Sequence, residues 1–316
     1  MPNLSQIKKL GLSLGSKETY LAETIRRPNR IEVANLVDLN LGFPLDFDAI
    51  TDRETIESIG NNLKNAIVAE DITSNNLFIS IDHSLATIKI LPIDPNFKEN
   101  ELKEHILWEF QQYLISPIEE YNFDYQKLPK TSFYDYPTIL IVAVNKKIID
   151  AVSRIASISD MNLKSININI FASINTLETN YKLKPGKKIA SIQVTKDRLI
   201  FIILEGKTLL GFHTIPLKEN SDEEISLESI SDEISKNLRF LISDYESEKD
   251  KTNFDKVFLY RNNKEIDLNE ILELENKSEF EILNPLKKLS ISSELKDKIP
   301  PDSDYSELTE SVGVTI

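Results

Sequence analysis

Apolar positions along the chain follow two rhythms, and they alternate. Near-continuous apolar runs of six to eight residues predict strands buried on both faces, whereas apolar residues three and four apart predict helices. Residues 7–14 and 18–26 pair as a hairpin about Gly15-Ser16, and 30–39 add a third strand. Ile56, Ile59, Leu63 and Ile67 then recur at helical spacing behind a Thr51-x-x-Glu54 capping box. Strands are predicted at 77–81 and 86–93, and a helix over 98–115 with Leu102, Ile106, Phe110 and Leu114 on one stripe. An extended segment at 121–128, a buried strand at 138–145 and a helix carrying Ile148, Val152 and Ile155 follow. A strand at 163–168 and a helix at 171–180 lead to Lys184-Pro185-Gly186, the clearest internal boundary.

Beyond that boundary the opening pattern returns. KKIASIQVTKDRLIFIIL begins as KKLGLSLGSKETYLAE does: two lysines, a strand, a turn containing a lysine, and a second strand. A duplicated unit is the simplest source of that repeat. An acidic linker at 218–224 precedes a long helix with Ile230, Ile234, Leu238, Leu241 and Tyr245. A strand at 256–260, a helix near 267–275, a strand at 279–283, Pro300-Pro301 and a last helix over 303–310 complete the chain. Strands and helices mixed within two halves predict an α/β protein of two lobes.

Composition narrows the function. The 316 residues carry 51 acids against 37 bases, a net charge of −14. Nucleic-acid binding needs a basic face to release counterions, so no nucleic-acid partner is expected. With no cysteine, disulfides, thiolate metal sites and cysteine nucleophiles are excluded. His83, His105 and His213 are far apart, lack metal-ligand spacing, and are expected to be structural. The longest apolar run, Thr138 to Val144, falls far short of the ~20 residues that cross a bilayer. The N-terminus has no signal-peptide core, so the protein is expected to stay in the cytosol. Nucleotide-loop, nucleophile-elbow and kinase signatures are absent, and Glu119-Glu120 and Glu223-Glu224 are adjacent carboxylates expected to be solvated.

From residue 8 to the end the order of elements resembles the PilM family, the actin-like cytosolic proteins of type IV pilus assembly, relatives of the division protein FtsA. Gly11-Leu12-Ser13-Leu14-Gly15 stands where the family has a G-I-D-I-G hairpin. FPLDFDAITDRETIESIGNNL, LWEFQQYLISPIEEYNFDY, ILIVAVNKKIIDAVSRIASISDMNLKSININ and YSELTESVGVTI follow in the family's order. The resemblance implies an actin-like fold of two ribonuclease-H-like lobes with an FtsA-type inserted subdomain. The first lobe would take 1–83 plus 166–187, the insert 84–165, and the second lobe 188–316.

Actin-like ATPases grip ATP between two hairpins, each with an Asp before its turn that holds Mg²⁺ through water, while turn amides hold the phosphates. By resemblance the first Asp position is Ser13, and Gly15, Ser16 and Lys17 form the phosphate turn. Gln193 and Thr195 stand for the second Asp and its Gly, and Arg261 and Asn262 for the adenosine-side glycines. Ser and Gln supply no anionic oxygen, Thr195 puts a β-branched side chain where backbone must approach phosphate, and Arg261 fills space meant for adenine. The pocket is therefore expected to be vestigial, with no catalytic residue, no metal and no cofactor; ATP and magnesium would be the cofactors of a retained pocket.

The leading expectation is a cytosolic platform, peripheral to the inner membrane through its partner alone. It would bind the N-terminal tail of a PilN-type inner-membrane protein and other pilus assembly proteins. In the family that tail lies between the first lobe and the insert, where 77–93 and 121–145 would line the cleft and Ile88 is a candidate contact. The alternatives are an actin-like ATPase with drifted motifs that still binds or hydrolyses ATP, and the cytoplasmic lobe of a type II secretion platform.

Overall fold

A computed structural model describes residues 7–15, 18–39, 41, 43, 45–134, 136–217, 226–244, 253–300 and 303–316. The acidic linker at 218–224 and Tyr245 lie outside the described residues.

Two sheets carry the chain and share one plan. In the first, β1 (Ile7–Leu14), β2 (Thr19–Arg27) and β3 (Arg30–Asp38) form an antiparallel meander; β4 (Asn76–Ile81) and then β8 (Asn162–Ile168) join parallel to β1, and β14 (Ser290–Ile291) pairs with β3. In the second, β9 (Lys188–Val194), β10 (Arg198–Glu205) and β11 (Thr208–Pro216) form the meander, with β12 (Lys256–Arg261) and β13 (Phe280–Ile282) parallel to β9. Strand for strand, β11-β10-β9-β12-β13 repeats β3-β2-β1-β4-β8. The repeated lysine-strand-turn segments occupy the same place in each half, β1–β2 and β9–β10. Leu199 to Leu204 are all buried, which is why β10 shows no apolar/polar alternation.

A third, antiparallel sheet interrupts the first half. Its central β7 (Thr138–Asn145) lies between β5 (Ala86–Pro92) and β6 (Tyr121–Leu128). α3 (Glu99–Phe110) buries Leu102, Ile106 and Phe110 against one face, meeting Ile139, Ile141 and Ala143 of β7. The predicted helix over 98–115 stops earlier, at Phe110, giving way to a 3₁₀ turn before Leu114.

Helices cover the sheets. α1 (Phe47–Thr51) is followed at once by α2 (Arg53–Ala69), so the predicted Thr51 box gives way to Asp52, whose carboxylate accepts the Thr55 N–H at 2.9 Å. Thr51 instead closes α1 by donating to the Phe47 carbonyl at 2.8 Å. α4 (Lys146–Ile158) crosses α2 so closely that a Cβ at Gly60 would stand 2.7 Å from Ile158. α5 (Asn169–Asn180) is mostly buried, and the second sheet is covered by α6 (Leu227–Asp244) with Ile230, Ile234, Leu238 and Leu241 and by α7 (Leu268–Glu275) with Leu268 and Ile271.

The strand pairings redraw the sequence-based division in two places. Residues 146–165, assigned with the insert, pack as α4 and most of β8 on the first lobe. Past Leu283 the chain, assigned to the second lobe, returns to the first: β14 pairs with β3, α8 (Ser293–Lys296) buries Leu295 beside Val33, and Leu308 and Val312 join Tyr20 and Ala22. The last helix is displaced from 303–310 to a 3₁₀ turn at Ser306–Leu308 plus α9 (Thr309–Gly313). It lies flat against β1 and α5: a Cβ at Gly11 would meet the Ser311 carbonyl at 2.0 Å, and one at Gly313 the Ala172 carbonyl at 1.9 Å. Two of the chain's scarce glycines are required by this approach.

Candidate functional site

Two places carry the predicted site residues, the cleft between the lobes and the groove beside the insert. In the cleft, the β1–β2 hairpin brings Ser13 under the turn, where its Oγ accepts the Tyr20 N–H at 3.3 Å. Gly15 ends the strand; Ser16 and Lys17 lie outside the described residues. The β9–β10 turn is closed by Thr195, whose N–H donates to the Arg198 carbonyl at 3.0 Å while its Oγ1 accepts the Arg198 N–H at 3.0 Å. The β-branched residue thus shapes the turn with its own hydroxyl. Arg261, at the end of β12, donates to the Ile266 carbonyl at 2.7 Å and pairs with Asp304 at 3.3 Å and Glu307 at 3.5 Å. The Asn262 carbonyl accepts the Tyr20 hydroxyl at 3.1 Å.

Further contacts stitch the lobes together. Asn263 donates to Glu18 at 2.8 Å, and Lys264 lies 3.6 Å from Asp38. Gln193 donates its amide to Glu310 at 2.7 Å. Arg198 pairs with Asp82 at 2.7 Å, with both side chains largely buried. Asp82 also caps the short turn after β4, accepting the Ser84 N–H at 2.9 Å, and His83 lies 2.8 Å from Thr214 of β11. Asp82, Glu310, Asp304 and Glu307 are thus each engaged by a protein partner.

Burial sets the protonation of this network. Glu310 is enclosed, and desolvation first, then the nearby Asp82 charge, raises its pKa to about 8, against the Gln193 amide that favours the anion. Desolvation likewise lowers His83 below the ordinary histidine value, and raises Tyr20 and Tyr260. His83 is a buried structural histidine, as its sequence context predicts. Among the described residues no three His, Asp or Glu side chains are grouped as metal ligands. Asp82, Arg198 and Glu310 escaped sequence reasoning because the pairs lie 116 and 117 residues apart. The only signal was an acid directly after the apolar strand LFISI.

The groove lies between the insert and the first lobe and holds about 360 Å³. One wall is β6, an edge of the insert sheet; the other is β8, an edge of the six-stranded sheet. Val142 of β7, Ile149 of α4, Ile166 of β8 and Phe171 of α5 make an apolar floor. Residues 122–126 of β6 and Leu140, Val142 and Val144 of β7 line it, whereas none of 77–93 does; β8 lies outside β4 and takes its place at the sheet edge. Ile88 does not line it for a separate reason: β5 lies across β7 from β6, and Ile88, paired with Val142, is 7% exposed within the main core. The β6–β7 loop then reaches the second lobe. Both Glu205 oxygens accept the Ser132 N–H at 3.0 Å, Tyr134 donates to the Leu210 carbonyl at 2.8 Å, and Phe133 and Tyr134 pack on the second core.

Two sheets of one plan facing each other across a cleft, with an independent sheet inserted in the first half, define a two-lobed actin-like protein. The chain belongs to the PilM family: the model described as "Type IV pilus assembly protein PilM" matches residues 11–210. A role in type IV pilus assembly comes with that membership. Among solved structures the chain is similar to a PilM–PilN type IV pilus biogenesis complex, at 12% identity over 98% of this chain and 97% of that one, with a TM-score of 0.74. It is also similar to the ethanolamine utilization protein EutJ from Carboxydothermus hydrogenoformans, at 11% identity, coverage of 98% and 89%, and a TM-score of 0.51. The cytoplasmic domain of EpsL, an inner-membrane component of the type II secretion system of Vibrio cholerae, matches at 10% identity, coverage of 96% and 94%, and a TM-score of 0.47. At these identities the likeness is one of fold. No curated protein sequence matches the chain.

Proposed function

We propose that this chain is a cytosolic platform of type IV pilus assembly that grips the N-terminal tail of a PilN-type inner-membrane protein in the groove between β6 and β8. The observation that carries this reading is the pair of sheet edges flanking an apolar floor. An extended segment can add main-chain hydrogen bonds at an edge while its side chains enter the floor. The architecture shared with the PilM–PilN complex supports it, as does family membership. The chain then sits at the inner membrane through its partner; among the described residues no helix is long and apolar enough to cross a membrane. Other pilus assembly proteins are partners on the same reading, and a net charge of −14 argues against nucleic acid.

The same platform works without ATP turnover. What supports this is a poor fit of the cleft to Mg·ATP: Ser13 and Gln193 offer no anionic oxygen, Arg198 already neutralises Asp82, and the Tyr20 hydroxyl bonds the Asn262 carbonyl just past β12. Calorimetry is expected to give no Mg²⁺-dependent ATP binding in the micromolar range. Hydrogen exchange with a PilN-type tail peptide tests the groove. Protection is expected in 121–128 and 162–168; protection confined to 188–316 overturns the reading.

A further inference from the structure

The groove that the tail-gripping reading uses has one charged side chain. Along β6 the residues facing the groove are Asn122, Asp124 and Gln126, paired in register with Val144, Val142 and Leu140 of β7. Asp124 is therefore the centre of a polar row standing beside an apolar floor. It is exposed, its Oδ1 accepts the Tyr125 N–H at 2.8 Å, and no cation lies within ion-pair distance of it among the described residues. Phe123 and Tyr125, the alternate residues of the same strand, turn to the other face and pack toward α3. Of the groove-lining residues, Asp124 alone can distinguish a ligand by charge.

Strand addition makes that charge positional. Once a segment pairs with the open edge of β6, one of its side chains must stand directly opposite Asp124, about 5 Å away between Cβ atoms and on the same face. Its neighbours two residues before and after stand opposite Asn122 and Gln126, over the floor of Val142, Ile166 and Phe171. A carboxylate there repels an acid, leaves an apolar group facing a charge, and attracts a base. The apolar floor beside it weakens solvent screening of that pair. We propose that Asp124 is a specificity-determining residue: it selects an extended segment with one Lys or Arg at the central groove-facing position, flanked at two-residue spacing by apolar side chains. This inference rests on the tail-gripping reading and adds the charge and register of the bound segment.

The test displays a random decapeptide library to the wild-type protein and to Asp124→Lys, which is exposed and should fold and melt as the wild type does. Wild-type binders are expected to share a basic residue at fixed spacing from two apolar ones. On Asp124→Lys they should lose about tenfold in affinity, with attraction turned to repulsion, and regain it when their basic residue becomes glutamate. Binders that protect 121–128 from exchange yet show no charge preference, or no reciprocal rescue, overturn the role of Asp124 and leave the groove intact. A library that yields no groove binders, or binders protecting only the second lobe, overturns the tail-gripping reading and this inference together.

Discussion

Glu310 offers the most direct probe of the closed cleft, because its proton is held by the fold itself. Replacing it by glutamine keeps an oxygen to accept the Gln193 amide at 2.7 Å and removes only the ability to ionise. The sign follows from linkage. An unfolded glutamate has a pKa near 4.5, while in the fold burial, reinforced by Asp82, raises it to about 8. The native state therefore binds a proton that the unfolded chain has released. The stability this contributes is fully present below pH 4.5 and is lost as pH rises through about 8. The slope is about 1.4 kcal/mol per pH unit, or about 5 kcal/mol over the whole window.

Other groups limit where that slope is read. Glu32, Glu265, Glu281 and Asp52 have lowered carboxyl pKa values and titrate below the window. His83, lowered by burial, works in the opposite direction until its unfolded value near 6.5 is passed. Between pH 6.5 and 8 Glu310 dominates, and the wild type should lose about 2 kcal/mol that Glu310→Gln keeps. Urea unfolding of both proteins at half-unit pH steps measures the difference. Parallel curves across that interval would refute the buried, protonated Glu310 and with it the enclosure inferred for the cleft.

Three further outcomes are expected. Asp82→Ala leaves the Arg198 charge buried without its partner and should destabilise by about 3–5 kcal/mol, and adding Arg198→Met should recover most of the loss in the same unfolding assay. Gly313→Ala drives a Cβ into the Ala172 carbonyl, so its thermal midpoint should drop by an amount equivalent to about 1–3 kcal/mol. Tyr134→Ala removes the hydrogen bond to Leu210 by which the β6–β7 loop straps the insert to the second lobe, without touching the groove, and should weaken tail binding severalfold in calorimetry while leaving the far-UV spectrum unchanged.

What the sequence disclosed and what it concealed divide along contact range. Strands such as β9 and β10 announce themselves because a strand buried on both faces needs an unbroken apolar run, and the repeated lysine-strand-turn segments exposed the duplication. Local chemistry decided finer points against the pattern: Asp52, one residue beyond Thr51, reaches the Thr55 amide and takes over the cap. Ile88 does not line the groove because β7 stands between β5 and β6, a strand order that alternation along one strand does not disclose. The return of the chain end to the first lobe was invisible for a different reason. It depends on β14 finding β3, and on two glycines whose missing side chains matter only once α9 lies on them.

The strap joins the two halves of the functional argument. β8 is held by the first lobe, β6 belongs to the insert, and the loop leaving β6 is fastened to the second lobe through Glu205 and Leu210. A hinge between the lobes would therefore shift one wall of the groove relative to the other. In this chain the lobes are tied by Arg198–Asp82, Gln193–Glu310, Tyr20–Asn262 and Asn263–Glu18, contacts made by the protein itself that set the spacing of the two edges. On the proposed reading, this is how loss of the ATP-binding residues preserves the platform. The contacts that fill the cleft hold open the groove, and an extended tail meets two edges already set to receive it, with less conformational cost on binding.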